Sequence, residues 1–192
     1  MAVKRGKLIL GKGQTRFVKR RLLWLPQNDV VLEADFCPLP EILGGRLWIG
    51  LVVRQWNADI QALDIFQHVP TVNDLADLLA RAMQGPLSDD GRGRAEAIYL
   101  RDNPEWEELF PHLRQLKIKV VVTEALPKWD EVVAKLIQYL QAWSSREGRH
   151  SVSKGELGYE DEMVDLKITA IMFPCHGRAR KRAGGAEGAN EL

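Results

Sequence analysis

The chain reads as a mixed α/β domain in which three antiparallel strands precede helix, strand, helix, strand and helix. Two observations carry this. Apolar residues alternate or run continuously in three short segments before Pro70, and after it the pattern switches to helical spacing broken by short β-branched runs.

The first strand is expected from Asp29, where Val30, Leu32, Ala34 and Phe36 alternate with Val31, Glu33, Asp35 and Cys37. After Pro38, Pro40 and the Gly44–Gly45 turn, residues 46–54 (RLWIGLVVR) are apolar enough for a strand buried on both faces. Asn57, Ala58 and Asp59 supply turn residues before residues 60–66 (IQALDIF), so these two runs make a hairpin. Thr71 with Asp74 forms a variant capping box, and Val72, Leu75, Ala76, Leu79, Ala82 and Met83 share one helical face up to the Gly85–Pro86 stop. A short strand over residues 95–100 ends just before Asp102. Asn103 as cap and Pro104 at the first position then start a helix carrying Trp106, Leu109, Phe110 and Leu113, which Pro111 should kink or shorten. Residues 118–123 (IKVVVT) read as another buried strand, and Trp129, Val132, Val133, Leu136, Ile137, Leu140 and Trp143 form an amphipathic helix. Strands alternating with helices pair in parallel through right-handed crossovers.

The 192 residues suit one domain with tails: a basic arm at 1–21, the α/β domain at 22–143, a polar linker at 144–162, one more strand at 163–173 and a disordered tail at 174–192. No apolar run reaches the length needed to span a bilayer or to form a signal-peptide core, so the expected location is cytoplasmic and no membrane partner is expected. Two cysteines far apart, Cys37 and Cys175, fit a reducing compartment.

A net charge of +1 conceals an asymmetry. Lys4, Arg5, Lys7, Lys12, Arg16, Lys19, Arg20 and Arg21 stand in the arm without an acid, giving it +8; the stretch after His176 adds +2, which leaves residues 22–176 at −9. Such an arm, with Gly6, Gly11 and Gly13 inside it, is expected to be flexible until it meets nucleic acid, another anionic partner, or the acidic body itself. A protein partner is also compatible. The string GKLILGKG at 6–13 imitates a phosphate loop, but Gly13 stands where a hydroxyl must hold magnesium, so no nucleotide site follows.

Other chemistries find no support. His68, His112, His150 and His176 lie in four neighbourhoods, Cys175 lacks partners at zinc spacing, and no serine sits in a nucleophile elbow. Of the six tryptophans, Trp56 beside the hairpin turn is the one whose exposure would mark a contact surface.

The order of elements is that of the ribonuclease-H-like fold, and NDVVLEADF, YLRDN and the last helix resemble the catalytic core of retroviral-type integrases and transposases. The resemblance implies Asp35, Asp102 and Glu131 as a carboxylate triad, with Glu124 as a substitute for the last, binding Mg²⁺ for phosphoryl transfer on DNA or RNA. Departures stand beside it: Cys37 replaces a small or hydroxyl residue, and Glu131 is placed for an ion pair with Lys135. Over residues 25–140 the chain also resembles a cyanobacterial-type domain family of unknown function, through AMQGPL, AEAIYLRD, EELFPHLRQLKIKVVV and LPKWDEV. That family brings no chemistry. The expectation is a binding or assembly domain without catalysis or cofactor, and the alternative is the Mg²⁺-dependent transferase.

Overall fold

The computed structural model describes residues 8, 16–39, 47–88 and 91–147, without the side chains of 143–147. All fall in the first of two units, Met1–Ser151. The strands are β1 (Val31–Pro38), β2 (Trp48–Arg54), β3 (Ile60–Phe66), β4 (Ala97–Arg101) and β5 (Lys119–Thr123). The helices are α1 (Lys19–Leu23), α2 (Val72–Gln84), α3 (Phe110–Gln115) and α4 (Pro127–Glu147).

One sheet results, in the order β3-β2-β1-β4-β5, with β1–β2 and β2–β3 antiparallel and β1–β4 and β4–β5 parallel. β1 is therefore central, with a hydrogen-bonded neighbour on each side. Its alternation divides two packing layers. Leu32, Ala34 and Phe36 join Val52, Ile98, Leu100, Trp106 and the buried stripe of α2 in one core. On the opposite face Glu33, Asp35 and Cys37 stand beside Val53, Leu51 and Ile49, under α4.

Local chemistry sets the limits of the elements. Asp74 accepts from the Thr71 N–H and hydroxyl, both at 2.7 Å, and starts α2. Asn103 Oδ1 accepts from the Glu105 N–H at 3.0 Å. The segment expected as one helix divides in two: residues Pro104–Leu109 form a 3₁₀ turn and α3 begins at Phe110, so Pro111 falls in a first turn where its missing N–H costs nothing. At Gly50 the chain has no room for a side chain, because an added Cβ would lie 2.5 Å from Phe36 Cε1, in the edge-to-face pair that Phe36 makes with Phe66.

Three expectations change. β5 is an edge strand, half-exposed, with Val122 on the surface. α4 runs on to Glu147, so the linker expected from residue 144 starts as helix; the remaining expectations for residues 148–192 lie outside the described residues.

The arm is the third correction. Residues 16–23 are packed on the domain, because Phe17 and Leu22 are 1% and 0% exposed and belong to the main core. Burying a phenylalanine and a leucine stabilises by about 1.5–3 kcal/mol each, and the backbone and side-chain bonds of the segment add to that anchor.

Candidate functional site

Two charged regions stand out, one enclosed and one open. The enclosed one is the mouth of the sheet where β1, the end of β4 and the start of α4 meet. Period-two alternation puts Glu33 and Asp35 on the same face of a central strand, 0% and 8% exposed. Glu33 has a partner made for a carboxylate: Oε2 accepts from the N–H groups of Lys128 at 2.9 Å and Trp129 at 2.8 Å. Pro127 opens α4 without an N–H, so these are the first donors the helix leaves free, and its positive end favours the charge. Oε1 of Glu33 has no hydrogen-bond partner. Trp129 is fixed from its other end by donating Nε1–H to the Leu51 carbonyl at 3.1 Å.

Asp35 meets Arg101. In the β1–β4 register Ala34 pairs with Leu100, and one step further along both strands stand Asp35 and Arg101. Arg101 Nε lies 3.3 Å from Asp35 Oδ2 in a charge contact, Nη2 donates to Asp130 Oδ1 of α4, and the guanidinium carbon sits 5.3 Å from the centre of the Trp129 ring. Burial raises the pKa of Asp35; the Phe36 N–H and Arg101 pull against that shift, and Asp130 adds to it. The same burial, with Asp35 nearby, pushes the Cys37 thiol up to about 11.

The three residues implied as a triad are thus distributed. Asp35 is in the mouth, while Asp102 is exposed one residue beyond β4, where strand alternation gives the inward position to Arg101. Glu131 is exposed and bonded to Lys128 at 3.0 Å and Lys135 at 2.7 Å, one turn behind and one ahead, and these lysines hold its carboxyl at about 2. Glu124 is exposed ahead of α4. Among the described residues no three His, Cys, Asp or Glu side chains are grouped to hold a metal ion. Sequence reasoning missed Glu33, Arg101, Trp129 and Asp130 as a group. Asp130 has a partial signal in helical spacing, because it stands one turn before Val133 at the rim of the buried stripe, whereas Glu131 shares a face with Lys135.

The open region begins at α1. Arg16 is bound through its backbone, its N–H to Asp77 Oδ1 and its carbonyl to Gln84 Nε2, both at 3.0 Å. Lys19 Nζ donates to Gln115 Oε1 at 2.8 Å and lies 3.1 Å from His112 Nδ1, tying α1 to α3. Burial and then Lys19 lower the pKa of His112. Arg20, Arg21, Leu23 and Trp24 face solvent, with Trp24 80% exposed. Arg94 links the carbonyls of Leu25 and Leu116, so the exit of α1 lies beside the α3–β5 turn and its exposed Arg114 and Lys117. Lys4, Arg5, Lys7 and Lys12 lie outside the described residues.

No family model matches the chain, and no curated protein does. Among solved structures it is similar to a chain of the simian T-cell lymphotropic virus intasome in complex with PP2A regulatory subunit B56 gamma, determined by cryo-electron microscopy. The TM-score is 0.53 at 12% identity over 80% of this chain. It spans about half, 51%, of that chain's length. The catalytic core domain of BIV integrase, crystal form I, is similar at TM-score 0.49 and 11% identity, over 83% of this chain and 88% of that one.

The fold is ribonuclease-H-like.

The metal that the integrase resemblance implies for this fold does not fit these residues. An ion sharing Asp35 with a neighbouring carboxylate would need oxygen ligands at about 2.0–2.6 Å. The side chain set against Asp35 at the mouth is instead a guanidinium, which joins it to Asp130.

Proposed function

We propose that this ribonuclease-H-like domain is a binding module that engages nucleic acid through the surface around α1 and does not itself transfer phosphoryl groups. The observation that carries it is the exposure of Trp24 with Arg20 and Arg21 on a segment anchored by Phe17 and Leu22, whose exit Arg94 ties to the Leu116 carbonyl next to Lys117. Cations on a fixed frame release counterions when they meet phosphates, and an exposed indole is a platform for an unpaired base. Lys4, Arg5, Lys7 and Lys12, just ahead in sequence, would extend the same polyanion track. A phosphoryl-transfer reading needs Asp35 free to hold magnesium with Asp102 and Glu131, and Arg101 and two lysines engage the outer members of that set. The resemblance to the cyanobacterial-type family brings no chemistry to this reading.

The test is retention of the full chain on single-stranded and duplex oligonucleotides across a salt series. Arg20→Glu/Arg21→Glu should weaken binding to every sequence and flatten the salt dependence by roughly two contacts. Trp24→Ala should weaken single-strand binding by about 1–3 kcal/mol, the usual worth of one stacked base, with less effect on duplex. Wild-type binding that is salt-independent, or unchanged by both variants, would remove the nucleic-acid assignment.

A further inference from the structure

The sheet mouth gathers three acidic side chains, Glu33 at the start of α4 and Asp35 and Asp130 on one arginine. Glu33 is satisfied on one oxygen by the start of α4. Asp35 and Asp130 come from different elements, and Arg101 is the group that touches both. Its reach suits the span, since a guanidinium carries donors on several sides in a fixed plane. The Trp129 ring lies against it, leaving the side chain 36% exposed.

We propose that Arg101 is the resident cation of this mouth: it does with one covalently attached charge what a divalent ion would do among carboxylates, and so latches the first turn of α4 to β1. Three features agree. Arg101 occupies the β4 position that the register sets beside Asp35, where an acid would be needed for a shared ion. The helix residue it selects is Asp130, while Glu131 is engaged by Lys128 and Lys135. The tryptophan that covers it is itself fixed at both ends, by Glu33 at its N–H and by Leu51 at its indole. The guanidinium is part of the chain, so this cation cannot be removed by a chelator.

Melting of the full chain in EDTA, Mg²⁺ and Mn²⁺ tests this, together with the manganese EPR signal during titration. Wild type should melt at the same temperature in all three and leave the manganese signal at its free-ion intensity. Arg101→Met should melt about 5 °C lower in EDTA. It leaves Asp35 and Asp130 without their shared cation, so Mn²⁺ should restore part of the loss, and adding Asp35→Asn should abolish that response. An Arg101→Met variant that melts like wild type overturns the latch. One equivalent of Mn²⁺ bound by wild type and lost in Asp35→Asn overturns the replacement of metal by arginine. Should Arg101→Met fail to fold, the wild-type titration decides alone. None of these readouts involves nucleic acid, so the proposal stands or falls apart from the binding function.

Discussion

The mouth and the α1 surface use the same kinds of side chain to opposite ends. In the mouth, charge is engaged within the fold: Glu33 on two helix N–H groups, Arg101 between Asp35 and Asp130 against Trp129. Around α1, Lys19 is engaged with α3 while Arg20 and Arg21 face water beside an exposed tryptophan. Burial decides the difference. A charge taken out of water must find its partner within the fold, and one left in water is available to something else. Acids grouped on a central strand are therefore poor evidence of catalysis when a helix start and an arginine consume them.

The contrast breaks most severely if α1 is not truly anchored. Phe17→Ala removes a ring that is 1% exposed and should destabilise the domain by about 3–5 kcal/mol in urea unfolding, with nucleic-acid binding falling as α1 comes loose. Unchanged stability would mean that the whole basic segment is an appendage. A smaller effect sharpens the other region: Glu33→Ala leaves the Lys128 and Trp129 N–H groups without their acceptor and should cost about 1–3 kcal/mol, while oligonucleotide retention stays at the wild-type level. Loss of retention in a variant that is still folded would show the two regions to be coupled.

The smallest effect is the response to acid, where the regions should have opposite signs. The pKa of Asp35 is raised by burial above its ordinary 3.8, so its contribution to stability is full below that value and is lost as pH rises through the folded value. The pKa of His112 is lowered from 6.5 by burial and Lys19, so its contribution is full above 6.5 and is lost as pH falls through the folded value. Unfolding free energies measured across this range should show His112→Gln removing a decline toward acid and Asp35→Asn removing a gain. Variants that change the profile in the same direction would refute the contrast.

Much of the fold could be read from one sequence because its signals are local. The Thr71–Asp74 cap, the Asn103–Pro104 start and the alternation of β1 act within a few residues of chain. What could not be read depends on neighbours. The run IKVVVT looks buried whatever its place in the sheet, and only the strand order makes β5 an edge. Phe17 and Leu22 were hidden by the glycine and charge around them. Arg101 gained its role from register, which no single strand reveals, and Glu131 was chosen over Asp130 although both lie at the start of α4, because the resemblance supplied a residue type and not a direction.

Cys37 is placed to be a slow thiol. With its thiol pushed up to about 11, it carries roughly one thiolate in ten thousand at neutral pH, and only the thiolate attacks a disulfide. In a Cys175→Ser background, a soluble aromatic disulfide should therefore label the half-buried Cys37 far more slowly than an ordinary thiol at neutral pH, and faster as pH rises toward 11.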